Sequence, residues 1–536
     1  MLTKVYSAAI HGIDAFPVTI ETDGGTGAIF SIVGLPDTAV KESQQRIVAA
    51  ITHSGVNFPH RRTIINLAPA DVKKEGASFD LPMAIGVLTA HGQIPADHLA
   101  EYMIMGELSL DGSVLPVRGV LPMAIKAREM GFKRLIVPEE NVTEAAVVNR
   151  VEVFGVKNLT EAMGLISGSS DLQPTVMDTR AIFAAESSSF DFDFSEVKGQ
   201  EGVKRAFEVA CAGGHNILLI GPPGAGKSMM AKRLPSILPP LSLGEALETT
   251  KIHSVAGKLS RGSMLMTRRP FRTPHHTVSP VAMVGGGTNP MPGEISLAHN
   301  GVLFLDEFPE FPRQVLEVLR QPIEDRVITV ARAKYTVNYP ASFMLVASMN
   351  PCPCGYYGHP TKHCTCLPGA VRKYMNRVSG PLLDRIDIQI EIQPVAFDEM
   401  ANTVPAEKSS KIRERVMKAR SIQQARFQRE KGIYCNAQMN TRLLHKYAWP
   451  DAEGLGKLRE RMTKLNMSAR AFDRILRVAR TIADLEAAEG IPTDFKSESY
   501  DNAMEEAVKS PVLSRHISEA INYRNLDRSD YYGTAY

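Results

Sequence analysis

The octapeptide Gly221-Pro222-Pro223-Gly224-Ala225-Gly226-Lys227-Ser228 has the residue types and spacing to hold a polyphosphate. An apolar run, Asn216 to Ile220, precedes it, and a helix-compatible segment starts at Met229, giving a strand, loop, helix context. Glycines let consecutive backbone N–H groups turn onto one phosphate, and the helix N-terminus adds its positive end. In such a loop Lys227 reaches the β and γ oxygens of ATP and Ser228 offers a hydroxyl to Mg²⁺. Downstream, the apolar strand Val302 to Leu305 ends in Asp306 and Glu307. Asp306 would hold Mg²⁺ and Glu307 would orient or deprotonate the attacking water. A second apolar strand, Phe343 to Met349, ends in Asn350, which reads as a γ-phosphate sensor or as an ordinary strand-ending asparagine. Arg385 precedes the strand Ile386 to Ile392; it either reaches a neighbouring subunit's ATP or pairs with Asp384 or Asp387.

Four of the six cysteines, Cys352, Cys354, Cys364 and Cys366, fall within fifteen residues. Four soft ligands in one short loop make a tetrahedral Zn²⁺ site, in which His363 could replace one thiol. The alternative is four reduced thiols. Zinc there would be structural, fixing a loop too short to have a core. Cys211 and Cys435 read as isolated buried cysteines.

These groups need a large soluble scaffold. A length of 536 residues allows about three domains. The net charge of +3 leaves nucleic-acid binding to local basic patches. No apolar run approaches the ~18 residues that span a bilayer, and the N-terminus lacks a signal-peptide pattern, so a cytoplasmic protein is expected. Residues 1–168 read as mixed α/β, with strands around Val18, Ala28 to Val33 and Thr63 to Leu67, and helices over Ala39 to Ile51, Leu81 to Ala90 and Pro122 to Met130. Residues 169–192 read as a linker whose Phe190, Phe192 and Phe194 alternate like a short docking strand. The ATPase unit is expected over 193–400, with a Cys-rich insert at 352–366. A helical domain over 401–510 and a tail over 511–536 follow. In the helical domain Ser468 is a candidate N-cap, and Arg470 lies in the first turn, where a cation is disfavoured.

Two stretches of the first domain resemble the proteolytic domain of Lon: Lys74-Glu75-Gly76-Ala77-Ser78, and Gly106 to Gly119 continuing to Val137-Pro138-Glu139-Glu140-Asn141. The first is similar to the loop of that family's catalytic serine. Where the family has its catalytic lysine, this chain has Leu121. A serine without that base is a weak nucleophile, so Ser78 reads as a loop residue and the domain as Lon-like without peptidase activity. From Asp193 to Asp387 the chain resembles the magnesium-chelatase-like branch of AAA+ ATPases, on Phe271-Arg272-Thr273-Pro274-His275-His276, Gly285-Gly286-Gly287 and Pro292 to Asn300. A Lon-like domain ahead of that module and a Cys-rich insert behind Asn350 resemble the YifB/ComM family over nearly the full length. The resemblance implies a multidomain α/β chain: a Lon-protease-like (ribosomal S5-like) α+β domain, an AAA+ core and a helical lid. It implies a hexameric ATPase that drives branch migration of DNA during recombination and natural transformation. It makes Arg385 a finger in a neighbour's site and Arg470 the second sensor arginine of the lid.

DNA would be single-stranded or branched. One candidate contact is the basic segment Lys258 to Arg272, including Arg268 and Arg269, whose other reading is a solvated charged loop. Another is Val327 to Val337, two β-rich arms around Arg332 and Lys334, a hairpin with a basic tip. It resembles the pore hairpin of replicative helicases in the same branch. Two other functions compete: a metal-chelatase or protein-remodelling chaperone, and an ATP-dependent protease, which Leu121 disfavours.

Overall fold

The computed structural model describes every residue except 180–182, 184–189, 260–263, 288–289, 333–334, 368, 396–404, 466, 493–496 and 525–536. Its first unit grows from a long antiparallel hairpin, Leu2–His11 against Asp14–Gly25, with Val5 opposite Ile20. Both side chains are fully buried, because alternate residues of each strand face one side. Seven strands assemble in the order Phe30–Val33, Arg62–Ala68, Asp14–Gly25, Leu2–His11, Tyr102–Ile104, Arg134–Pro138 and Glu152–Val156. The helix Asp80–Ala90 is buried at every position, so its sequence is apolar all round, as read. Its one charge, Asp80, is taken up by the Arg46 guanidinium at 2.6 Å and by the Ser43 hydroxyl.

The second sheet is wholly parallel, in the order Phe271–Arg272, Val302–Leu305, Met344–Met349, Ile217–Ile220, Ile388–Glu391. Ile220 pairs with Met349 and Leu305 with Ala347, so these strands end along one edge. Chain segments leaving that edge carry the residues of chemical interest. The remaining helices pack behind it, with Ser409–Phe427, Ala469–Ala488 and the helix Glu201–Gly213 joined in one apolar core. Ser468 caps the second of these by accepting from the Ala471 N–H at 3.2 Å.

Two expectations change. Phe190, Phe192 and Phe194 do not form a strand: Phe194 opens a 3₁₀ turn, because the Asp193 carboxylate accepts from the Ser195 N–H and bends the chain. Phe190 and Phe192 instead lie under guanidinium groups, of Arg268 and Arg413 and of Arg233 respectively. The tail expected over 511–536 contains a packed helix, Ser514–Asn522, because Ile517, Ala520 and Ile521 repeat at helical spacing and bury against Ala469–Ala488.

The two sheets are joined by an apolar contact that includes Leu121. Leu121 is fully buried with Val120, Met123, Leu241, Ala246 and Leu265. Its N–H donates to Glu144 at 2.9 Å, and the same carboxylate accepts from Asn141 Nδ2 at 3.2 Å and from the Ser254 hydroxyl of the other unit. Burial pushes the Glu144 carboxyl up, with these hydrogen bonds opposing. Because the folded value is raised, its stability contribution is present below the ordinary carboxylate range and is lost as pH rises through the folded value. Glu144→Gln is always neutral. Wild type is therefore expected to lose melting temperature relative to Glu144→Gln as pH rises above the ordinary carboxylate range. Thermal melts across that rise check this; a difference constant with pH would contradict it.

Candidate functional site

The loop 221–228 leaves the strand Ile217–Ile220 at the sheet edge and enters the short helix Lys227–Ala231. Gly224 and Gly226 adopt φ of +82° and +86°, conformations that a side chain would strain. Lys227 is largely buried; its ammonium donates to the carbonyls of Gly221 at 2.6 Å and Pro222 at 2.9 Å, and to Asn350 Oδ1 at 3.1 Å. Burial lowers its pKa, and Asp306 opposes the shift. Ser228 Oγ donates to Asp306 Oδ2 at 2.6 Å, and Ser348 Oγ donates to the other Asp306 oxygen. A hydroxyl and a carboxylate meeting at one point are the hard oxygen donors that Mg²⁺ takes, so this pair fits that ion. The first six loop residues, Gly221, Pro222, Pro223, Gly224, Ala225 and Gly226, supply the backbone around Lys227. Lys227, Ser228, Asp306 and Asn350 thus meet at one edge.

Glu307 stands beside them in a left-handed conformation, φ 54°, and its carboxylate is 3.2 Å from His276 Nδ1. His276 arrives because the strand Phe271–Arg272 runs parallel to Val302–Leu305 and leaves at the same end. Its ring lies 4.1 Å from that of His275.

Arg385 pairs with neither Asp384 nor Asp387. Its guanidinium sits 2.9 Å from Glu324 and donates to the Pro381 carbonyl at 2.6 Å. Asp387 is engaged elsewhere, by the Asn216 N–H at 3.0 Å and by Arg474 at 2.8 Å. Burial would raise the Asp387 carboxyl, but Arg474 and His215 outweigh it and hold it far below the usual range. Arg470 is exposed in the first turn of Ala469–Ala488, one turn before Arg474.

The basic hairpin forms as read, Val327–Arg332 against Tyr335–Pro340, with Arg332 opposite Tyr335. The side chain of Arg332, and Lys334 altogether, lie outside the described residues. Of the other basic pair, Arg268 is exposed over Phe190. Arg269 is not available to DNA: its guanidinium donates to the carbonyls of Pro239 at 2.7 Å, Asn300 at 2.7 Å and Pro240 at 3.2 Å, and pairs with Glu245. The pair therefore splits, with Arg268 at the surface and Arg269 largely taken up inside.

The four clustered thiols converge. Cys352 Sγ is 3.3 Å from Cys354 and 3.7 Å from Cys364, and all four sulfurs lie within 4.8 Å of one another. Zn–S bonds of about 2.3 Å in a tetrahedron put sulfurs roughly 3.8 Å apart, so the donor set fits zinc.

Three residues escaped the sequence reading: His276 and Ser348 at this edge, and Arg474, which pairs with Asp387 at the opposite end of the sheet. Ser348 had a signal, since it lies two residues before Asn350 on the same strand face. Arg474 follows Arg470 at helical spacing. His276 lay in a noted motif but had no visible partner. Replacing Glu307 by Gln is expected to lower ATP turnover by roughly 10²-fold or more while ATP still binds. His276→Ala should cost less, and the double variant should be no slower than Glu307→Gln alone, since both changes act through one carboxylate. Steady-state rates and nucleotide-binding titrations test this; simple additivity would show that His276 acts elsewhere.

Residues 193–400 match the family model "Magnesium chelatase, subunit ChlI"; 18–141 match "Subunit ChlI of Mg-chelatase" and 406–499 its C-terminal model. A protein named YifB from Escherichia coli is 40% identical over 531 residues, 98% of each chain. Competence protein ComM of Haemophilus influenzae is 39% identical over 530 residues, again 98% of each. Lon protease 2 of Bacillus subtilis is 33% identical over 126 residues, 23% of this chain and 22% of that one. With its loop, acidic strand and near full-length relatives, the chain belongs to the YifB/ComM family of magnesium-chelatase-like AAA+ ATPases.

Proposed function

We propose that this ATPase is a DNA motor: a hexameric ring that moves on single-stranded or branched DNA and drives branch migration when incoming DNA recombines during natural transformation. The observation that carries the reading is the position of the hairpin Val327–Pro340. It lies in the chain between the acidic strand and the strand that ends in Asn350. The helix before it, Arg320–Asp325, holds Glu324, the partner of Arg385. A change at the nucleotide edge therefore reaches the hairpin along short stretches of chain. Basic residues at its tip suit a track without sequence readout. The printed name of the Haemophilus relative supports the link to competence.

In this reading Lys227 and the loop 221–228 hold ATP, Ser228 and Asp306 hold Mg²⁺, and Glu307 directs water to the γ-phosphate. Bound Mg²⁺ would neutralise charge on the leaving phosphates. Asn350 senses the γ-phosphate. Arg385 leaves Glu324 to serve a neighbour's site, and Arg470 faces the nucleotide from the lid. Arg332, Lys334 and Arg268 meet DNA. Zn²⁺ sits on Cys352, Cys354, Cys364 and Cys366. The N-terminal unit is a Lon-like domain over 1–168 without peptidase activity, since Leu121 packs in a core where a base would stand. The protein works in the cytoplasm and needs no membrane.

A second reading, a chelatase-type or protein-remodelling chaperone, is favoured by the magnesium-chelatase family match itself. The two differ in what stimulates hydrolysis. With the DNA motor, single-stranded or four-way-junction DNA raises the ATPase rate several-fold, and Arg332→Ala abolishes the DNA-dependent increment. A rate indifferent to every DNA tested would remove the motor and leave the chaperone.

A further inference from the structure

The cysteine loop is built against the phosphate loop at two places. At its start, Asn350 accepts from Lys227, and only Pro351 separates Asn350 from Cys352, which is fully buried. Pro353 lies between the first two thiols. Prolines fix φ, so this stretch transmits displacement stiffly from the thiols to Asn350. Further on, Gly355 turns at φ +84° with its backbone hard against Pro223. A Cβ at Gly355 would stand 2.5 Å from Pro223 Cδ. Pro223 lies in the stretch that must wrap the phosphates.

Cys354, Cys364 and Cys366 are partly exposed, and the bonds within the loop are mostly local turns, such as Gly355 N–H to the Cys352 carbonyl at 3.0 Å, His359 N–H to the Tyr356 carbonyl at 3.2 Å and Tyr357 N–H to Cys352 Sγ at 3.3 Å. What joins the sulfurs ties the two ends of the loop together. The sulfur spacing suits one tetrahedral soft cation.

We infer that zinc held by the Cys352–Cys366 loop braces the phosphate loop, so that metal and nucleotide bind with positive coupling. This rests on the zinc reading above and adds to it a direction of influence. With the metal in place, Gly355 backs Pro223 and Asn350 keeps its contact with Lys227. Without it, both supports loosen and the loop must be ordered at the expense of nucleotide affinity. Coupling is reciprocal, so bound nucleotide must tighten zinc by the same factor.

The test uses the full chain, a zinc assay and a fluorescent ATP analogue with Mg²⁺ in excess. One zinc per chain is expected. Its removal by a zinc-selective chelator should weaken nucleotide affinity by roughly tenfold, restored by zinc alone, and saturating nucleotide should protect the metal from the chelator to a matching extent. Gly355→Ala should keep zinc and lose nucleotide affinity. Gly358→Ala is the control: it has positive φ in the same loop, but its nearest neighbour atom is 3.9 Å away, so affinity should stay within about twofold. If the chain carries no zinc, this inference and the zinc reading fall together. If zinc is bound but its extraction leaves nucleotide affinity unchanged, the inference alone falls. Should extraction unfold the chain, the two glycine variants decide, and equal losses in both would overturn the bracing contact.

Discussion

The buried ammonium of Lys227 is the constraint on which the core depends. A cation out of water must be matched by acceptors held in place, and here they come from three positions: two carbonyls of its own loop and Asn350 from a neighbouring strand. That demand fixes the strand order. Ile217–Ile220 must lie beside Met344–Met349, and Ile220 must pair with Met349, for Asn350 to arrive within hydrogen-bond reach. The acidic strand is then the next neighbour, and Leu305 opposite Ala347 brings Asp306 to Ser228 and Ser348. A one-residue slip in either pairing would turn these side chains to the opposite face.

The N-terminal unit is tied to this core by burial. Leu121, apolar and fully buried, brings neither charge nor access to water. The position serves a contact between units. The Glu144 carboxylate beside it is a buried charge that the contact must tolerate, and it does so through donors from both sides. An apolar residue at this point favours exclusion of water, which is what a packed junction between units requires.

What was legible in the sequence was whatever a short segment decides by itself. The phosphate loop, the two acid-terminated and Asn-terminated strands, the Asp80–Ala90 helix and the basic hairpin each carry their pattern within a dozen residues or so. The partners of Arg385 and Arg269 were not legible, because Glu324 and the carbonyls of Pro239, Pro240 and Asn300 are brought to them only by packing. His276 belongs to the same class, since its distance to Glu307 depends on a parallel strand pair. The helix Ser514–Asn522 was short enough to pass for a polar tail, yet three apolar residues on one face seat it.

Two ion pairs at the opposite end of the parallel sheet, where Asn216 and Asp387 open their strands, differ in a way that bears on movement. Asp387 and Arg474 are almost wholly buried, at 1% and 11% exposure, and they tie the sheet to the helix Ala469–Ala488. Breaking such a pair leaves a charge stranded in the interior and costs on the order of 3–5 kcal/mol. The helix that bears Arg470 is therefore held to the strand Ile388–Glu391, and any motion of one carries the other. Arg385 and Glu324 are different: the carboxylate is 42% exposed, so water can replace the partner as the pair opens. Of the two, this is the contact that opens at the lower cost. Its release would free the helix Arg320–Asp325, to which the hairpin Val327–Pro340 is joined through Arg326 alone. A rigid pair to the helix Ala469–Ala488 and a breakable pair to the helix Arg320–Asp325 leave this end of the sheet one contact that can yield.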